Sequence, residues 1–99
     1  MSKTTLIVNA TPCPKGAEAL AHYAKHAGAI LKAHHGKLIN KYKVTDILTK
    51  DKFNQTVMVM EFEDDSIIKA LSEGEAYKAL IPYRDKAFID ISIAFAQTV

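Results

Sequence analysis

The order of apolar runs along this chain predicts an α+β fold. It is a β-α-β-β-α-β sandwich, with a four-stranded antiparallel sheet and both helices on one face. Three observations carry that expectation. Four short runs are rich in β-branched or alternating apolar residues, two longer stretches repeat apolar residues at three- and four-residue steps, and those stretches follow the first and third runs. Two right-handed crossovers in this order give the split βαβ, or ferredoxin-like, arrangement. The 99 residues are expected to form one domain, 1–99.

The first strand is read over residues 4–11, "TTLIVNAT", and ends at the breaker "TPCP". Pro14 opens a helix expected from Lys15 to about His35, because proline's missing N–H is not needed in a first turn. Ala17, Leu20, Ala21, Ala24, Ala27, Gly28 and Leu31 form its apolar stripe. Gly36 supplies the stop, and His34 and His35 suit the negative end of the helix dipole. Residues 37–49 read as a long second strand with polar interruptions that suggest a bulge. "KDKFN" is a turn, and residues 55–63 form the third strand.

Asp64, Asp65 and Ser66 offer capping oxygens to a second helix, which Gly74 breaks or bends. Helix then continues to about Ala87, and residues 89–96 make the last strand. On a helical wheel of residues 73–88, Ala76, Leu80, Tyr83 and Ala87 form one stripe, beside a second made of Tyr77, Ile81, Arg84 and Phe88. Pro82 falls on the opposite, solvent side. There it is expected to kink a continuous helix while water takes over the carbonyl of Lys78.

The strands carry apolar residues on both faces. Met58, Met60 and Phe62 alternate with Val57 and Val59, Leu6 and Val8 flank Ile7, and Ala94 and Ala96 back onto Ile89, Ile91, Ile93 and Phe95. A sheet with helices on one side has its other face wet. Apolar residues there predict a cover, most simply a second copy, so a homodimer through the sheet face is expected.

Composition narrows the function classes. Net charge is +2, and of thirteen Lys and Arg residues only Arg84 is arginine. Nucleic-acid readers lean on arginine for bidentate contacts, so no nucleic-acid partner is expected. No segment is long and apolar enough to suggest a membrane span or a signal peptide. The lone Cys13 allows no internal disulfide and fits a reducing compartment, so a cytoplasmic location is expected. No phosphate-binding glycine loop or metal-ligand cluster is visible, and no cofactor or metal is expected.

The residues that could carry chemistry are few. Tyr77 and Arg84 lie two turns apart on one helix edge, where a phenol and a guanidinium can hold a carboxylate or enolate. Equally, both can be rim residues with apolar bodies and polar tips. Tyr23, at the edge of the first helix's stripe, is open to the same two readings. His22 and His26 have the i, i+4 spacing of a metal pair, but a third ligand is missing nearby. His35 joins the ligand-binding candidates through its place at an element junction. Cys13 precedes a helix N-terminus, where a thiolate is stabilised, without an assignable base. Lys37, Lys41 and Lys43 are expected on one strand face, and Glu61 among apolar residues at the end of strand three.

Tyr23, Gly36, "VMVMEF" at 57–62, Ala70 and "AYKALIPYRDKA" at 76–87 together resemble the small bacterial proteins called domain of unknown function 1330. The resemblance spans nearly the whole chain. It implies a dimeric α+β barrel, in which two ferredoxin-like sheets pack face to face, and matches Tyr77 and Arg84 to the family's recurrent tyrosine and arginine. The chain departs from the pattern at Leu71 and Ser72, where an aromatic pair is frequent. It departs again at Gly74, Glu75 and Ala76 in place of Ser-Pro-Glu, and at His35-Gly36 in place of a glycine pair. Relatives in the wider group include cofactor-independent monooxygenases, isomerases, haem enzymes and sensing domains. Three classes therefore stay open: a small-molecule enzyme using a cleft between sheet and helices, a ligand-sensing dimer using the same cleft, and a protein whose surface serves another partner.

Overall fold

The computed structural model describes residues 3–49, 53–97 and 99. Its elements are β1 (Thr4–Pro12), α1 (Ala17–Ala33), β2 (Lys37–Lys43), β3 (Thr56–Phe62), α2 (Asp65–Glu73), α3 (Glu75–Lys78), α4 (Ile81–Ala87) and β4 (Phe88–Ala96). The sheet order is β2-β3-β1-β4, with every pair antiparallel. This is the expected ferredoxin-like α+β arrangement.

Cross-strand neighbours point to the same side of a sheet. Leu6 lies opposite Met60 and Phe95, and Val8 opposite Met58 and Ile93. These residues share the helix side, where Leu6, Met60 and Phe62 form the core and Val8, Leu31, Met58 and Ile67 pack against it. Phe62 is 1% exposed. Ile7 lies opposite Val59 and Ala94, on the side that no helix covers.

Several expectations are corrected. In α1, Leu20, Tyr23, Ala27 and Leu31 turn inward, while Ala17, Ala21, Ala24 and Gly28 are exposed. Burying leucine and tyrosine removes more apolar surface from water than burying alanine, so the helix turns its larger residues to the sheet. β2 stops at Lys43 rather than residue 49, because β3 begins opposite it at Thr56; only the Val44 N–H continues the ladder, to the Gln55 carbonyl at 2.7 Å. The expected bulge is present between Leu38 and Asn40. It reverses the alternation, so Lys37 shares a face with Glu61 while Lys41 and Lys43 lie on the other, and the three lysines do not share one face.

The α1 stop is a Schellman motif. Gly36 N–H bonds to the Leu31 carbonyl at 2.9 Å and His35 N–H to that of Lys32 at 3.0 Å. The left-handed residue is His35, with φ 64°, rather than Gly36. Gly36 is small for another reason: a Cβ there would stand 2.7 Å from the Phe62 ring. His34 Nδ1 lies 2.9 Å from the Ile30 carbonyl and helps close the helix end.

The second helical stretch is three short helices. Asp64 caps α2 by accepting from the Ser66 N–H and hydroxyl, contacts that hold its carboxyl below the usual range. Gly74 ends α2, as expected. The chain then breaks again at Ala79 and Leu80, so Pro82 is not inside a continuous helix but in the first turn of α4. The first intrahelical bond of α4 runs from Arg84 N–H to the Leu80 carbonyl, at 2.9 Å. The proline's missing N–H therefore costs no bond, and its fixed φ suits the turn.

Pro82→Ala should lower stability by about 0.4–1 kcal/mol, because alanine restores no bond and enlarges the freedom of the unfolded chain. Urea unfolding of the two proteins checks this; a more stable alanine variant would mean that the ring strains α4. His35→Gly should raise stability by about 1 kcal/mol by relieving the left-handed β-carbon, measured in the same way.

Candidate functional site

α1 turns Tyr23 inward toward the helices that follow β3. There the Tyr23 and Tyr77 hydroxyls are 2.9 Å apart and hydrogen bonded. Arg84 Nη1 donates to the Tyr77 oxygen at 3.2 Å, and its guanidinium carbon lies 5.9 Å from the Tyr77 ring centroid. Tyr23 also meets Tyr77 and Phe88 edge-on, with centroids 6.3 and 5.8 Å apart. Tyr77 sits in α3, Arg84 in α4 and Phe88 opens β4, so four elements contribute to one cluster.

The break before α4 does not separate Tyr77 from Arg84. The Leu80 N–H bonds to the Tyr77 carbonyl at 2.8 Å, which keeps the turn between the helices tight and both side chains on one edge. All three cluster residues are half-buried. Burial, reinforced by the Tyr77 hydrogen bond, pushes the Tyr23 phenol above its ordinary pKa of 10, against a smaller opposing pull from Arg84. For Arg84, burial works against the charge, but its contacts with Tyr77, Tyr23 and Asp85 outweigh it and raise its pKa.

Arg84 also lines a cleft of about 470 Å³, with Asp85, Phe88, Ile89, Asp90, Ile91 and Ile93. The cleft exists because the helices cover β1 and β3 more fully than the edge strand β4. Ile91 is half-buried and Ile93 and Phe95 are exposed, although all three lie on the helix side. Tyr77 and Tyr23 stand behind Arg84 as its support. The Arg84 Nε is buried and has no hydrogen-bond partner among the described residues; the Asp85 carboxylate approaches it only to 3.7 Å.

The other sequence candidates lie elsewhere. His35 is exposed at the α1–β2 turn, apart from the cluster's hydrogen bonds and the cleft lining. His22 is half-buried rather than solvated, stacked on Tyr83 at 3.9 Å with His26 at 4.3 Å. Those rings border a groove between α1 and the later helices, floored by alanines. Tyr83 thus belongs to the outer helix surface rather than the buried stripe. Among the described residues no group of three or more His, Cys, Asp and Glu could hold a metal ion. Cys13 is free and half-buried. Glu61 pairs with Lys3 at 3.4 Å.

Sequence reasoning missed a polar knot on the uncovered side of the sheet. Asn54 donates to the Asn9 side chain at 2.6 Å and to Asp90 at 3.1 Å, and accepts from the Thr11 hydroxyl at 2.9 Å. It pins the end of the β2–β3 connection beside a second cleft, of about 730 Å³. The short polar residues at 9, 11, 54 and 90 were its only trace in the sequence.

The family model described as Domain of unknown function (DUF1330) matches residues 7–97. No curated protein matches the chain. Among solved structures, it is similar to a protein of unknown function from Rhodopseudomonas palustris. The TM-score is 0.82 at 17% identity, covering 99% of this chain and 83% of that one. It is also similar to SnoaB, a cofactor-independent oxygenase from Streptomyces nogalater, with TM-score 0.68, 13% identity, and coverage of 100% and 95%. A dimeric protein of unknown function and ferredoxin-like fold from Bacteroides fragilis aligns with TM-score 0.62, 7% identity, and coverage of 99% and 98%. At these identities the likeness concerns the fold.

Tyr23 should make stability sensitive to alkali. Its folded pKa is raised, so its contribution is fully present below the unfolded value of about 10 and is lost as pH rises through the folded value. Melting temperatures of Tyr23→Phe should therefore fall less steeply than wild type above pH 10. Parallel curves would place the titration elsewhere.

Proposed function

Because the chain belongs to the DUF1330 family, which supplies a fold and no activity, we propose from the site itself that the protein is a homodimer that binds a small organic molecule. The proposed binding place is the cleft between α4 and β4, and the proposed setting is the cytoplasm. The observation that carries this reading is the convergence of Tyr23, Tyr77 and Arg84 behind one wall of that cleft. Its volume of about 470 Å³ falls within the range of small-molecule sites. Its other walls combine apolar Phe88, Ile89, Ile91 and Ile93 with the carboxylate-bearing Asp85 and Asp90. The dimer is supported by Ile7, Val57, Val59 and Ala94 on the uncovered sheet face, with exposed Tyr42 opposite Val57. The description of the Bacteroides fragilis neighbour as dimeric accords with it.

The second reading, chemistry on the bound molecule, is favoured by one feature. The Arg84 guanidinium, held by Tyr77 at the cleft wall, suits hydrogen-bond donation to a developing oxyanion. The resemblance to SnoaB adds a fold on which cofactor-independent chemistry is carried out.

Sedimentation velocity at micromolar concentration should give twice the 10.9 kDa chain mass. Val59→Asp should return it to the chain mass with its circular dichroism intact, since Val59 lies on the face away from the core. A wild-type monomer would remove the dimer from the proposal. For the cleft, a neutral and charged fragment library should yield melting shifts that Ile93→Trp, which fills the cleft, abolishes. Hits unaffected by that change would place the ligand elsewhere. Mass spectrometry of the incubated hits then separates binding from turnover.

A further inference from the structure

Resting on the reading of this cleft as a ligand site, we infer that it takes a monocarboxylate with an apolar body, anchored by Arg84, and that Tyr77 is the residue that positions the anchor. The argument is a count of donors and acceptors. A guanidinium only donates. One of the Arg84 Nη1 hydrogens reaches Tyr77, while Nε meets no acceptor among the described residues. The two phenols share one hydrogen bond, so whichever donates, one phenol hydrogen is left over. The cluster is thus a cation with surplus donors and few acceptors. Burial keeps Tyr23 neutral, so no phenolate cancels the charge.

The nearest compensating charge is weakly placed. Asp85 stands 3.7 Å from Nε, beyond hydrogen-bond distance, and its side chain is 66% exposed, where solvent and salt screen it. The Asp90 carboxylate is taken up on the far side: Asp90 lies opposite Thr11, on the face away from the helices, and accepts from Asn54 at 3.1 Å. A planar two-oxygen anion fits the guanidinium fork. Beside Arg84 and Asp85, Phe88, Ile91 and Ile93 offer apolar contact to a hydrocarbon body. The Asp85 carboxylate at the mouth disfavours phosphates and dicarboxylates, whose second charge would meet it.

Tyr77 acts through Arg84. Its hydroxyl holds Nη1 and its ring lies beside the guanidinium, while Tyr23 fixes that hydroxyl from behind. Phenylalanine at 77 would keep the ring and release the fork.

The test uses the fact that Arg84 is the only arginine, so its Nε–Hε group gives a single, unambiguous signal in a nitrogen-15 NMR spectrum. Hexanoate and phenylacetate are titrated into the wild-type protein, each beside its primary amide and methyl ester. The acids should move the Arg84 signal and bind at least about tenfold more tightly than the amides. Arg84→Lys should weaken the acids at least about tenfold and narrow that preference, since lysine keeps the charge and loses the fork. Tyr77→Phe should weaken the acids about tenfold and leave the amides unchanged, a split that general loosening of the fold would not give. Acids and amides binding equally, or an unmoved Arg84 signal, would overturn the carboxylate assignment. If neutral fragments still bind and Ile93→Trp still expels them, the cleft reading survives that failure. If nothing binds in the cleft, both fall.

Discussion

Much of this molecule depends on one backbone contact, where the turn after β1 meets the end of α4. The Cys13 N–H bonds to the Ala87 carbonyl at 2.8 Å. Ala87 is 0% exposed. Gly16, at the entrance to α1, lies so close to the Lys86 carbonyl that a side chain there would collide with backbone rather than with a movable side chain. Here glycine is required by proximity, not by an unusual φ. The start of α1 and the end of α4 are thereby pinned together. Each helix runs away from that point with fixed direction and rotation, and neither can slide without breaking the bond or opening a void around Ala87.

The site follows from that pinning. Tyr23 lies two turns into α1, and Arg84 lies one turn before the end of α4. With both helix ends held, the separation of the two side chains is fixed, and Tyr77 spans it. The cluster does not itself supply much stability. Three half-buried polar groups lose water, and two hydrogen bonds return only part of that cost. An apolar trio of the same volume would pack as well or better. The Arg84 Nε is left buried without a hydrogen-bond partner among the described residues, a cost that the packing here does not offset. The local rules that govern the rest of the fold are broken at this place in particular.

How much of this was legible in the sequence varied with the range of the interaction. The strands and their two-sided character were readable because period two is local, and the core assignments of Leu6, Met60 and Phe62 follow from it directly. The Asp64 cap and the Gly74 break were readable for the same reason. The face of α1 was not, because alanines are compatible with either side and only the sheet decides which residues gain most by burial. Pro82 was placed on the correct, solvent side, yet in the wrong setting. A wheel assumes one continuous helix, and the break at Ala79 and Leu80 turns an interior proline into a first-turn proline. The lysines of β2 were misassigned because one inserted residue flips every later side chain. Tyr77 and Arg84 meet because they share an edge. The bond between Tyr77 and Tyr23 joins residues 54 apart in sequence, which no local pattern encodes.

The two surfaces invoked for assembly and for binding lie on opposite sides of the sheet, and β4 belongs to both. Its alternation sends Ile91 and Ile93 to the cleft and Ser92 and Ala94 to the uncovered face. Asp90, at the same end, is tied by Asn54 to Asn9 and thus to β1 and the β2–β3 connection. As an edge strand, β4 has ladder bonds to β1 alone, as β2 has to β3 alone, so its outer edge is not held by the sheet. A partner copy packed on Ala94 and Ser92 would constrain it from below, and a ligand against Ile91 and Ile93 would constrain it from above. Both would act on the same backbone. Covering one face reduces the freedom that β4 still has to lose when the other is covered, so dimer formation and ligand binding should reinforce each other.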